Sequence, residues 1–138
     1  MRQRLSFEFP ANTGILAKIG EIAGDVGRKA GFDNVEIGDV QLAIDEACTN
    51  TIIHGLKKDP SRIFRLIIQW QKNEIEIQIH ESGEPFDPNA TRDPDLKAPL
   101  EERPIGGLGV YFVRKVMDEV EYRNDEKGIK ILRMLKRK

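Results

Sequence analysis

The chain has 138 residues, the size of one domain, with 39% hydrophobic and 33% charged residues. That composition excludes a disordered chain, and a net charge of −1, from 23 acidic and 22 basic residues, supplies no bulk field for nucleic acid or an anionic membrane. A single cysteine, Cys48, excludes an intrachain disulfide framework. No apolar run approaches the roughly 18–20 residues of a membrane helix, and Met1 to Phe9 has no signal-peptide core. The expectation is a soluble cytoplasmic domain spanning 1–138.

From Arg4 to Phe9 the chain alternates, with Leu5, Phe7 and Phe9 on one side. This is the period of a half-buried strand, which Pro10 ends. Asn12 or Thr13 is placed to cap a helix carrying Ile15, Leu16, Ile19, Ile22, Ala23 and Val26, closed at Gly31. Asp33 or Asn34 caps a second helix, whose stripe is Ile37, Val40, Ile44, Ala47 and Cys48 and which runs to about His54. Arg62 to Gln69 and Glu74 to Ile79 read as strands joined by a turn at Gln71-Lys72-Asn73.

Between Gly83 and Gly109 apolar periodicity is lost, and five of the seven prolines fall there. Structureless loops beyond about 12–15 residues are uncommon in compact domains and are usually functional. Residues 86–105 are therefore expected to be a lid or binding loop. A third helix follows Gly109, and Glu119–Arg123 with Ile129–Leu135 forms a closing hairpin. Grouped strands separated by helices predict an α+β fold: a mixed sheet with helices on one face.

Glu46 and Asn50 stand four residues apart, on one side of the second helix and at the edge of its apolar stripe. A carboxylate there can take a proton from an attacking hydroxyl, and an amide oxygen suits Mg²⁺. Alone, the pair reads first as a solvated helix edge. Glu81-Ser82-Gly83 follows a strand; the carboxylate can accept from a ligand amine, and Gly83 lets backbone approach a flat ring. Alone, it is a polar turn. Gly106-Gly107-Leu108-Gly109 opens a helix, where exposed N–H groups and the helix dipole suit phosphate. It matches neither the P-loop nor the dinucleotide fingerprint. His54 and His80 lack metal-ligand spacing, Cys48 reads as core, and Trp70 as packed on the sheet. Lys130, Arg133, Lys136, Arg137 and Lys138 read as a solvated strand end and tail, not a nucleic-acid surface.

In order, these pieces resemble a known family. Leu42-Ala-Ile-Asp-Glu46-Ala-Cys-Thr-Asn50-Thr-Ile-Ile-His54-Gly55 resembles the N-box of the anti-sigma-factor serine kinases, members of the GHKL superfamily of ATP-binding domains. Glu81-Ser-Gly83-Glu-Pro85-Phe86-Asp87-Pro88 resembles the first glycine box. The stretch from Gly106 to Tyr122 resembles the second glycine box and its helix. The resemblance implies a two-layer α/β sandwich with ATP between the helices and a lid at 86–105. It implies Glu46 as general base and Asn50 as the Mg²⁺ ligand. It also implies Glu81 and Gly83 at adenine, and Gly107, Leu108 and Gly109 at the phosphates. Arg92, Lys97 and Arg103 are the lid cations available to the terminal phosphate. The implied partners are a sigma factor and a STAS-type anti-anti-sigma protein, with homodimerisation common in the family. One departure stands out: the family usually has Asp where this chain has Glu81. That substitution motivates a second reading, a partner-binding module with weak or no kinase activity.

Overall fold

The structure is a computed structural model that describes residues 2–81 and 107–138, with side chains described from Phe112 onward in the second stretch. Strand β1 (Gln3–Pro10) leads through a short 3₁₀ turn, Thr13–Ile15, into α1 (Leu16–Ala30) and α2 (Asn34–Asn50). A π turn at Thr51–Gly55 continues α2. Strands β2 (Ile63–Gln71) and β3 (Glu74–Glu81) form a hairpin, followed by α3 (Gly107–Val116) and a second hairpin, β4 (Glu119–Asn124) and β5 (Lys130–Arg137).

Local chemistry accounts for the boundaries. Asn12 caps the 3₁₀ turn, its side chain accepting from Gly14 N–H. Gly31 ends α1 at φ 92°, a left-handed conformation that glycine adopts without a Cβ penalty. Asp33 and Glu36 form a reciprocal capping box on α2, at 2.8 and 3.0 Å. In the second hairpin, Asp125 accepts from the N–H groups of Lys127 and Ile129, and Gly128 takes φ 80°. These features fall at the expected positions; β1, β3 and β4 run one or two residues longer than read, β2 and β5 begin one residue later and end two later, and α2 passes at Asn50 into the π turn.

The strands lie in the order β1-β2-β3-β5-β4, and all four pairings are antiparallel. The expected α+β class holds, but neighbouring strands are antiparallel throughout rather than mixed. Two helices between β1 and β2 return the chain to the end it left, so β2 runs against β1. The single helix before β4 makes β4 run with β3, yet β5 inserts between them and opposes both.

One sheet face carries Phe64, Leu66, Ile68 and Trp70 of β2, Ile75, Ile77 and Ile79 of β3, and Met134 of β5. It packs against Ile19, Ala23 and Val26 of α1 and Val40, Ile44, Ala47 and Cys48 of α2. Burying each large aliphatic side chain contributes about 1.5–3 kcal/mol. Trp70 is therefore a core residue. The opposite face carries charged side chains around the buried Ile67, Ile131 and Leu135. Arg2 pairs with Glu76 at 2.9 Å, and Arg133 reaches Glu76 and Glu119, each at 3.4 Å. Arg65 pairs with Glu8 at 2.9 Å. Pro10 lies on edge strand β1, where a missing N–H costs least.

Candidate functional site

Glu46 and Asn50 lie together on one half-buried edge of α2, beside the buried row of Ala43, Ala47 and Cys48. Partial burial, reinforced by the charge of Asp45, raises the Glu46 carboxyl above its usual range. A carboxylate with raised proton affinity is the better proton acceptor.

Beyond Asn50 the helix widens. The N–H of Leu56 bonds to the carbonyl of Thr51 at 2.8 Å, a five-residue step, and that of Lys58 to Ile52 at 2.8 Å. Thr51, Ile52 and Gly55 of this turn are buried. The end of β3 meets it. A Cβ built on Gly55 would stand 2.0 Å from Glu81 Oε2, closer than atoms can approach, so only glycine leaves room for this carboxyl.

Glu81 follows the inward parity of Ile75, Ile77 and Ile79, so it faces the helices and is 5% exposed. Tyr122 Oη, from β4, donates to Glu81 Oε1 at 3.3 Å. Lys130 is directly opposite Glu81 in the β3–β5 register, is itself 4% exposed, and holds its Nζ 4.4 Å from the Tyr122 ring centroid. Among the described residues, Glu81 Oε2 is buried with no hydrogen-bond partner. Burial pushes the Glu81 carboxyl up to about 7, against the opposing pull of Lys130 and of the Tyr122 hydrogen bond. A buried acceptor without a partner is costly in a native protein, so it calls for an explanation.

Two polar spots are thus carried by α2 and the turn that continues it: Glu46 and Asn50 on the helix edge, and Gly55 against Glu81. Helix α3 packs against α2, and its first turn includes residues 107–109. Gly83 and the expected lid at 86–105, with Arg92, Lys97 and Arg103, lie outside the described residues. Among the described residues no group of three or more His, Cys, Asp or Glu side chains could hold a metal. A divalent cation here would rely on the Asn50 amide oxygen and on a ligand's own oxygens, as Mg²⁺ commonly does with phosphates. A single amide oxygen suits an ion that takes its remaining ligands from phosphate oxygens and water.

The sequence matches the family described as histidine kinase-like ATPase domain over residues 9–136. The chain belongs to that family. Within the histidine kinase-like ATPases it is similar to the serine-protein kinase RsbW of Bacillus cereus (strain AH820). Identity is 31% over 134 residues, covering 94% of this chain and 82% of that protein. The RsbW of Bacillus anthracis (strain A0248) gives the same figures. Two solved structures share the fold. One is the SiaB-SiaC complex from Pseudomonas aeruginosa, at TM-score 0.67 and 19% identity, covering 95% of this chain and 88% of that chain. The other holds the RsbU and RsbW domains of Rv1364c from Mycobacterium tuberculosis, at TM-score 0.64 and 14% identity. This chain covers 98% of its own length there and 32% of that longer chain.

Some site features of this histidine kinase-like ATPase had no motif to announce them. Lys130 is a buried partner of the Glu81 end, not a solvated strand terminus, and Lys136 is also largely covered, donating to the Val116 carbonyl at 2.7 Å. The signal available was parity: Lys130 and Lys136 alternate in step with Leu132 and Met134. His80 points to the outer face, 2.9 Å from Gln78 Oε1, and burial keeps it neutral more readily than usual. Cys48 is fully buried, and burial raises its thiol far above the reactive range.

Proposed function

We propose that the chain is an ATP- and Mg²⁺-dependent protein-serine kinase that acts as an anti-sigma factor. It would phosphorylate a STAS-type antagonist and sequester a sigma factor in the cytoplasm. The observation that carries this reading is the Glu46–Asn50 pair on one half-buried edge of α2, in a chain of this family.

In this reading adenine meets Glu81 and Gly83, and the triphosphate reaches the backbone of Gly107, Leu108 and Gly109 in the first turn of α3. Helix N-termini favour such anions. Mg²⁺ on Asn50 would neutralise phosphate oxygens and hold them in line. Glu46 accepts the proton of the incoming serine hydroxyl as its oxygen bonds to the γ-phosphorus. The bond from that phosphorus to the bridging oxygen breaks, and ADP leaves. Residues 86–105 close over the nucleotide as a lid, with Arg92, Lys97 or Arg103 at the terminal phosphate. The single domain 1–138 pairs with a second copy, as relatives of this kind commonly do.

The test is phosphate transfer from Mg·ATP to the cognate antagonist. Glu46→Gln is expected to retain ATP binding and to lose transfer by about 10²–10⁴-fold, the usual contribution of a general base. Transfer at the wild-type rate would remove Glu46 from the mechanism. If the wild-type protein captures its partner without nucleotide and transfers nothing, the partner-binding module replaces the kinase.

A further inference from the structure

On the sheet face away from the helices, one row crosses all five strands in register: Glu8, Arg65, His80, Ile131 and Arg123. Beyond that row the sheet divides. The β2–β3 ladder stops at Arg65 and His80, whereas β1–β2 continues to Pro10 and Ile63, and β3–β5 to Glu81 and Lys130. A cavity of about 210 Å³ opens at this fork. Ile63, Phe64 and Ile129 give it apolar walls, and Glu8, Arg65 and His80 give it polar ones. Ile63 is 54% exposed, although a large aliphatic side chain is more favourable under cover. Glu81 borders the cavity at the end of its branch, but its carboxyl lies on the helix side, against Gly55.

We propose that the fork binds a small organic carboxylate with a short apolar tail. The site is independent of the nucleotide reading, because Glu46 and Asn50 stand on α2, across the sheet from this row.

Arg65 donates from Nη2 to Glu8 Oε1 at 2.9 Å. A guanidinium carries five N–H donors in a planar array, so one carboxylate does not exhaust it, and a second can dock on it edge to edge. Gln78 donates its amide to Glu76, which turns Gln78 Oε1 toward His80 Nε2, 2.9 Å away. That acceptor places the neutral ring's proton on Nε2 and leaves Nδ1 to take a second proton, which a bound anion would favour. Burial holds His80 below its ordinary range; Arg65 from β2, Arg123 from β4 and Arg4 from β1 push it the same way, and Asp125 opposes them. The arginines thus leave a positive potential at the ring that one negative charge would balance. Phosphate would bring a second charge against Glu8 and has no surface for Ile63 and Ile129. A monocarboxylate brings one charge, matches the guanidinium plane and covers both isoleucines with its tail. The cavity is smaller than the roughly 300–1,000 Å³ of drug-sized sites, so the tail is a few carbons long.

The test is a titration of the whole chain, without nucleotide and at constant ionic strength, followed by NMR of the His80 ring and of the Ile63 and Ile129 methyl groups. The probes are acetate, propionate and butyrate, with butyramide and inorganic phosphate as controls. Butyrate is expected to shift all three sets of signals saturably, with affinity rising by up to about fourfold for each added CH₂ along the series. Butyramide should not bind. Binding should raise the His80 titration midpoint, so that butyrate affinity increases as pH falls from 8 to 6. Arg65→Gln removes only an exposed ion pair from the fold, and should weaken butyrate by about tenfold or more. Absence of saturable shifts, affinity that ignores tail length, an equal response to butyramide or phosphate, or wild-type binding by Arg65→Gln would each overturn the assignment. A His80 midpoint that butyrate leaves in place would seat the anion elsewhere and overturns it as well.

Discussion

At the scale of single residues, Glu81 carries an energetic cost that has a measurable pH signature. Its folded carboxyl holds a proton up to about pH 7, while the unfolded reference value is 4.5. The folded state therefore binds more protons than the unfolded state between those values, and stability falls as pH rises through that window. The contribution is at its most favourable below about pH 4.5 and is lost above about pH 7. The difference corresponds to roughly 3 kcal/mol at one pKa unit per 1.36 kcal/mol, an order-of-magnitude figure. Glu81→Gln keeps the shape without the charge. In urea unfolding without nucleotide, the variant should match the wild type near pH 5 and exceed it by about 1–3 kcal/mol at pH 8. Equal stability at both pH values would show that water reaches the carboxyl. The same residue shows how much of the site was legible. Spacing and residue type alone left Glu46 and Asn50 as a helix edge and Glu81 as a polar turn; the ordered resemblance to a family made them candidates. The burial of Glu81 was written in its parity with Ile75, Ile77 and Ile79, but a charged residue at a strand end resembles an exposed turn until its neighbours are known.

At the scale of elements, α2 and the turn beyond it carry Glu46, Asn50 and Gly55 in one continuous run. The helix was legible because its apolar stripe and its Asp33–Glu36 capping box are local signals. The π turn was not, since a five-residue hydrogen-bond step leaves no period in a sequence of five residues, Thr51 to Gly55. Its consequence is steric. With Oε2 2.0 Å from the place of a Cβ on residue 55, Gly55→Ala must drive the Glu81 side chain from its place. Overpacking of this kind costs about 1–3 kcal/mol. Glu81→Asp withdraws the carboxyl by one methylene and should relieve the clash. A double-mutant cycle on thermal or urea stability is therefore expected to give a favourable coupling of about 1 kcal/mol or more, with Gly55→Ala tolerated only in the presence of Glu81→Asp. Additive effects would mean that the two positions do not compete for space. The coupling also gives a physical reason for the departure at position 81: a longer acid fits here because the facing residue has no side chain.

At the scale of the whole molecule, the antiparallel sheet divides labour between its faces. Ion pairs such as Arg2–Glu76 and Arg65–Glu8 line one face; the exposed Arg65–Glu8 pair adds little to stability, whereas Glu76 is itself buried beneath its partners. The other face carries the core, and at its end the Glu81 cluster sits among the same buried rows. The hairpin pairings β2–β3 and β4–β5 were legible from their turns, but β1–β2 and β3–β5 were not, because alternation fixes which side chains face inward but not which distant strands are neighbours. The proposed site draws on β3, β4, β5, α2 and the turn after it, so a nucleotide bound there would stabilise elements from both halves of the chain. A ligand that binds only the folded state adds about 2.7 kcal/mol at one hundred times its dissociation constant. For a domain of this size that corresponds to a rise of roughly 10 °C in melting temperature. Mg·ATP at that excess should produce this shift in the wild type and in Glu46→Gln alike, since the role proposed for Glu46 concerns the transferred proton and not the base. Asn50→Ala should lose most of the Mg²⁺-dependent part and keep the part due to nucleotide alone. If Glu46→Gln loses the shift and Asn50→Ala keeps it, the two roles on the edge of α2 are reversed.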